Sequence, residues 1–361
     1  MCAEVDSYLI VGGGWANIII LIEFIPLLKN QITMYIFDLS KLRAGDILLI
    51  NTSERFSKIM LENVGSPYHH AMFYVGDSSM IHSDKGPGVQ SVNILRRYFE
   101  KDDAAIALRP KRNVSDRIIH AAIDHARNKI GIEYSDKEAL RTIKEHTAED
   151  FEENRQFCTR FVAQVFASAG LKLVEDPDYC SPFDLENSQY LDVVTGVLKE
   201  ANEKELEYAM EKNTVLEKQI GITNEVLSKS RAVSNEDIQT IEQLSDYMEA
   251  HPDKDEQISL ILEESGYLEM WKWEREKNPF HYKYKSFTEK YEKKYRRSVG
   301  IQLLNTAKEL EYRYSINFMA YNRKYDETGL RFFKLLKELY QNLLIQVKDM
   351  KMVGNAGKNS I

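Results

Sequence analysis

"YHHAMFYVGDSSMIH", Tyr68–His82, is the stretch on which the fold turns. It sets three of the chain's eight histidines among β-favouring residues interrupted by Gly-Asp-Ser-Ser, a pattern that reads as a β-hairpin. Alternate side chains of a strand share a face, so His70, Met72 and Tyr74 point one way and His69, Ala71 and Phe73 the other. An odd-length turn over Asp77–Ser79 pairs Gly76 with Met80 and sets Tyr74 opposite His82, leaving His70 and His82 on one face. An even-length turn sends His82 to the other face. His69, of opposite parity, reads as a back-face structural residue.

Outward from the hairpin, "GDILLI" (Gly45–Ile50) and "AAIALRP" (Ala104–Pro110) add short strands, and a small antiparallel sheet results. Two helices follow. The first starts at an N-cap, Ser115, carries Ile118, Ala122 and Ala126 on one face, and stops at Gly131. His120 and His125 lie on it as surface or packing residues. The second, "CTRFVAQVFASAG", has an apolar stripe of Phe161, Val162, Val165, Phe166 and Ala169 and is closed by Gly170. Cys158 sits in its first turn, where unpaired N–H groups favour a thiolate.

Two imidazoles on one sheet face, with a thiol docked against them, supply a base, an orienting group and a nucleophile. The plainer reading makes Cys158 a small buried side chain. Zinc is a competing use of the same residues, but short-spaced pairs such as HxxxH are missing, and adjacent His69 and His70 cannot both face one ion from a regular strand. No metal or other cofactor is expected.

The order "GDILL", "HAMFYVG", "MIHS", "GPGV", "GIEYS", "FCTRFVAQVFASAGL", "SPFDLENS" resembles the permuted papain-like cysteine hydrolases of the NlpC superfamily, the YiiX/YebB-like group. The interval of twelve residues between His70 and His82 also resembles the lecithin retinol acyltransferase-like branch. The resemblance covers about residues 40 to 195. It implies an α+β, permuted papain-like domain in which the histidine strand precedes the cysteine helix, an order immaterial to catalysis. Matched position by position, Cys158 is the nucleophile, His70 the general base and His82 the group that orients His70. Tyr68 or Tyr74 is the candidate assisting hydroxyl, and the Cys158 N–H the candidate oxyanion donor. A thiolate paired with an imidazolium is expected to alkylate at low pH, where an ordinary cysteine does not. The implied activity is cleavage of an amide or peptide bond, including a cell-wall-like amide. A thioesterase or acyltransferase acting on lipid acyl groups is the alternative within enzymes, and a binding module with a helical interaction scaffold is the alternative outside them.

At 361 residues, with 43% hydrophobic and 11% aromatic side chains, the chain has material for two packed domains. A net charge of −8 argues against chain-wide affinity for nucleic acid or anionic membranes, and three cysteines without a CxxC pair fit a reducing compartment. The expected organisation is an N-terminal extension (1–36), the hydrolase domain (37–196) and an α-helical accessory domain (197–361), located in the cytoplasm. Within the extension, "WANIIILIEFIPLL" (15–28) is short for a membrane span and carries Asn17, Glu23 and Pro26, so it offers at most membrane contact. Residues 1–33 also read as lying outside the native fold, with Met34 as a second start. "YLIVGGGW" has Asn17 where a dinucleotide fingerprint needs its last glycine, and that reading is rejected.

The last part is rich in Glu, Lys, Leu and Tyr, and Leu303, Ala307, Leu310, Tyr314, Phe318 and Tyr321 recur at helical spacing until Lys324 breaks the stripe. Helical hairpins or a bundle are expected. Glu236–Glu269 holds eleven acids and one lysine, whereas Lys272–Arg297 holds ten bases and four acids, with aromatics interleaved. Tyr284, Phe287, Tyr291 and Tyr295 are expected to pack a basic helix against the acidic neighbour, and a docking surface for membrane, nucleic acid or a protein partner is the alternative. No nucleic-acid partner is expected.

Overall fold

The computed structural model describes residues 33–51, 65–136, 139, 155–211 and 214–360. The apolar run 15–28 lies outside the described residues. Among the described residues nine strands, β1 (Tyr35–Phe37), β2 (Ile47–Ile50), β3 (His70–Gly76), β4 (Ser79–Asp84), β5 (Gly88–Asn93), β6 (Tyr98–Phe99), β7 (Ala105–Pro110), β8 (Leu191–Val194) and β9 (Leu198–Glu200), form two sheets. Their orders are β5-β4-β3-β2-β7-β8 and β6-β1-β9, and neighbouring strands are antiparallel. β9 pairs with β1, so the sheet part runs past residue 196 to Glu200.

The sequence of β2, Ile-Leu-Leu-Ile, is apolar without alternation because both of its faces are covered. Ile47 and Leu49 pack with the helices α1 (Asp116–Asn128) and α2 (Cys158–Ser168), while Leu48 and Ile50 pack with Phe37 and Phe99 of the small sheet. The α2 stripe of Phe161, Val162, Val165 and Phe166 is buried as its spacing predicts. Asp46, 1% exposed, anchors the start of β2 to β7 through a two-pronged pair with Arg109, Nε to Oδ1 at 2.8 Å and Nη2 to Oδ2 at 2.6 Å.

The hairpin differs from its expected pairing. Its turn is the even one, with Asp77 and Ser78 at positive φ (48° and 60°) and Gly76 paired with Ser79. This is the twist-matched hairpin turn, built here without glycine. An even turn alone would put His82 on the wrong face. A bulge between Tyr74 and Gly76 restores the parity: Tyr74 pairs with Met80 rather than with His82, and Phe73 with Ile81. One extra residue in β3 thus brings His70 and His82 to a common face.

The remaining helices are α3 (Pro182–Glu186), α4 (Glu203–Met210), α5 (Thr214–Ser234), α6 (Ile241–Ala250), α7 (Asp255–Ser265), α8 (Met270–Lys277), α9 (Tyr284–Lys290), α10 (Lys293–Thr328) and α11 (Arg331–Lys358). Helices α10 and α11 form a long antiparallel hairpin through Gly329, at φ 70°. Lys324, where the apolar stripe ends, ion-pairs with Glu249 of the acidic segment. The aromatic stripe 284–295 is not one helix face, because α9 ends at Lys290 before α10 begins. Phe287 alone is fully buried, beside Gly357 of α11, whereas Tyr284 and Tyr295 are exposed.

The crossing of α10 and α11 is set by small residues. A Cβ on Gly300 would lie 2.4 Å from the Lys358 N and 2.7 Å from the Gly357 carbonyl carbon, both backbone atoms that cannot swing aside. Gly300→Ala should therefore force the helices apart and cost about 1–3 kcal/mol by the overpacking rule, read as a lowered urea midpoint. An unchanged midpoint would mean that this helix contact is not tight.

The two parts touch through polar contacts. Arg155 pairs with both Glu133 and Asp237, Arg231 with Glu133, and Thr306 Oγ1 donates to Asp77 of the β3–β4 turn at 3.1 Å. Among the described residues, no helix is long and apolar enough to cross a membrane.

Candidate active site

The site grows from the first residue of β3 and the first residue of α2. Cys158, 8% exposed, stands at the α2 N-terminus. Its sulfur lies 4.0 Å from the His69 carbonyl oxygen and accepts from the Ala71 N–H. The thiol therefore touches the backbone on both sides of His70. No side-chain cap is supplied by Phe157, the residue preceding α2, so the first-turn N–H groups are left for the sulfur or a ligand.

His70 and His82 meet directly, with Nε2 of His70 and Nδ1 of His82 2.8 Å apart and the rings at right angles. His82 is fully buried and His70 partly so. The His82 Nε2 has no hydrogen-bond partner among the described residues. If His70 accepts a proton at Nδ1, its Nε2–H donates to His82 Nδ1, and His82 must carry its own proton on that buried Nε2.

Burial dominates the electrostatics of these groups. Burial, with Arg97 and then His69 adding positive charge, pushes His70 down to about 3. Burial and then His70 hold His82 well below the ordinary histidine range. Burial raises the Cys158 thiol, outweighing the N–H groups of Ala71 and Thr159 that favour its anion. Burial thus favours the neutral forms of both the Cys158 thiol and the His70 imidazole.

The other candidates separate. Tyr74 faces the second core, and its hydroxyl accepts from the Ser78 N–H at the turn end of β3, about 13 Å along the strand from His70 at the usual rise per residue. Tyr68 packs beside the core that contains Cys158, and burial raises its phenol. His69 donates its N–H to the Ile50 carbonyl, although Ile50 is registered with His70. The ladder is irregular there, and simple alternation does not extend back to His69. His120 lies on the surface, bonded to the Asp116 carbonyl. Cys180, the other described cysteine, is buried at 1% exposure with its thiol directed to the Ser181 carbonyl.

Two neighbours were not foreseen. Tyr134, in the "GIEYS" segment, is bridged to Gln156, and its phenol is raised by burial and then by the Cys158 thiol. Arg97 bears on both histidines from beyond β5. The Gly-x-x-Tyr pattern was a signal for the first; nothing local in the sequence marks the second.

Residues 41–197 match the model of a family described as permuted papain-like amidase enzyme, YaeF/YiiX, C92 family. Among solved structures, the crystal structure of metalloprotein yiiX from Escherichia coli O157:H7, DUF1105, is similar at 14% identity, with a TM-score of 0.34, over 43% of this chain and 97% of that one. No curated protein matches the chain. Among the described residues, no group of three or more His, Cys, Asp or Glu is arranged to hold a metal ion.

Proposed function

We propose that residues 41–197, which belong to the permuted papain-like amidase family and so form a hydrolase domain, cleave an amide or peptide bond through an acyl-enzyme on Cys158. The observations that support this reading are a thiol at the α2 N-terminus whose sulfur contacts the backbone on either side of His70 and, on the face of β3 shared with Met72, the hydrogen-bonded His70–His82 pair.

In this reading His70 takes the thiol proton at Nδ1 as the sulfur attacks the acyl carbon, a transfer that requires its ring to turn toward the sulfur from the β3 face it shares with Met72. His70 then carries both ring protons and still donates from Nε2 to His82. The N–H groups of the first turn of α2 stabilise the developing oxyanion, and loss of one such donor costs about 10²–10³ in rate. The amine leaves with the His70 proton, and water, deprotonated by the same ring, releases the acyl group.

His82 orients the base without supplying negative charge. His82→Ala should lower kcat by about 10²–10⁴, the range of a positioned acid–base contribution, with a smaller effect on KM. Equal kcat in wild type and variant would remove His82 from the site. The reading as a whole is tested by incubating the protein with peptide amides and with lipid acyl esters, and following product release and mass addition. An acyl adduct on Cys158 from the peptide amide, absent in Cys158→Ala, supports it; turnover confined to lipid esters contradicts it.

A further inference from the structure

A cavity of about 580 Å³ lies among α8, α9, α10 and α11 and reaches the β3–β4 turn. That volume falls in the range of small-molecule sites. Its walls are rich in aromatic rings, chiefly Tyr267, Trp271, Tyr282, Tyr291, Tyr314 and Tyr340, with Leu303, Leu343 and Val347 as an apolar floor.

The charge of the lining has one sign. Among the described residues that line the space, Asp77 and Glu274 contribute carboxylates, none is a lysine or arginine, and the one basic ring, His281, stands 3.8 Å from Glu274. The neighbouring Arg275 is outside the lining and is held by Asp349 at 2.5 Å. Burial, and after it Glu274, keeps the Tyr282 phenol protonated; Tyr314 is likewise raised by burial, against a smaller opposing effect of Arg313. The wall therefore presents neutral ring faces and carboxylate oxygens. Ring faces attract cations, the more so where water is excluded: the Arg275 guanidinium lies 5.4 Å from the Tyr282 ring centre and the Lys272 ammonium 5.5 Å from that of Trp271, and an anionic ligand would meet the like charge of Glu274. Rings of this part of the molecule already take cations elsewhere: the Lys218 ammonium sits 3.6 Å from the Trp273 ring centre.

We propose that this cavity is a binding site for an organic cation, an alkylamine or quaternary ammonium whose head lies on the aromatic faces near Glu274 and whose tail follows the apolar floor. Asp77 belongs to the turn of the hairpin that carries His70 and His82, and Thr306 Oγ1 donates to it. The site therefore lies where the helical part meets the sheet part, and it is independent of the Cys158 chemistry.

The test is calorimetric titration of the full chain with octyltrimethylammonium, octanol and octanoate, each below its micelle-forming concentration. Saturable binding of the ammonium, at least tenfold tighter than either of the others and weakened at least fivefold in Glu274→Gln, is the expected result. Glu274, partly exposed with its Oε1 accepting from Asn278 Nδ2 at 2.8 Å, tolerates that change without burying a bare charge. Glu274→Lys, which reverses the local charge, should bind octanoate better than the ammonium. Octanol or octanoate binding the wild type as tightly as the ammonium, no saturable ammonium binding, or an ammonium affinity unaltered in Glu274→Gln would each overturn the assignment.

Discussion

Cys158→Ala should reduce amide hydrolysis to the uncatalysed background, a loss of at least about 10⁴-fold in kcat, because in the proposed mechanism the acyl-enzyme forms on the Cys158 sulfur. The fold should survive. The substitution removes one sulfur from a core that also contains Ala71, Phe161 and Val162, at a cost of about 1 kcal/mol, small against the total stability of a domain. Cys180→Ala is the matched control. Its thiol is also buried, is raised well above the ordinary range by burial, and is directed to the Ser181 carbonyl, away from the β3 backbone that Cys158 contacts, so activity should be retained. Activity assays, mass addition and urea midpoints on both variants separate chemistry from folding. Residual turnover in Cys158→Ala near the wild-type level, or loss of activity in Cys180→Ala at unchanged midpoint, would reassign the nucleophile.

Much of this site was legible before any coordinates, for identifiable reasons. Strand and helix periodicity marked β3 and α2, and a helix that begins at a cysteine carries its own electrostatic signal. The meeting of His70 with His82 was legible only as one branch of a parity question. The sequence pattern favoured neither turn length, and the answer combined an even turn with a compensating bulge. A bulge adds a residue without changing composition, so alternation rules cannot detect it. The charge state of the site is not legible in the sequence because burial is a tertiary quantity. The hairpin, the α2 helix and Arg97 come together from separate parts of the chain, and their summed desolvation determines the protonation of His70 and Cys158. The aromatic run 284–295 has helical spacing, but the helix breaks at Tyr291; Phe287 is fully buried and Tyr291 packs against the same core, while Tyr284 and Tyr295 are exposed.

That burial has a measurable thermodynamic signature, because it sets the folded pKa values of His70 and His82 apart from their unfolded value near 6.5. Both are depressed, His70 to about 3. A depressed histidine binds a proton in the unfolded chain before it does so in the folded one. Its contribution to stability is therefore complete above pH 6.5 and is lost as the pH falls toward the folded value. Between those limits each histidine removes about 1.4 kcal/mol per pH unit, and the pair nearly twice that. Cys158 acts at the other end: its folded pKa is raised, so its contribution is present below the unfolded value of 9.0 and declines as the pH rises past it. Urea unfolding from pH 4.5 to 6.5 should accordingly give a steep loss of stability on acidification, flattened by roughly 2–3 kcal/mol per pH unit in a His70→Gln, His82→Gln double variant. If the variant loses stability with the same slope, the histidines are not held neutral. The same neutrality governs reactivity. Iodoacetamide should label Cys158 slowly at pH 5.5 and faster as the pH rises, so fast acid labelling would instead reveal an ion pair. A neutral resting pair makes the enzyme depend on substrate binding to place an acyl carbon at the sulfur before the proton moves, and catalysis then draws on orientation rather than on a preformed thiolate.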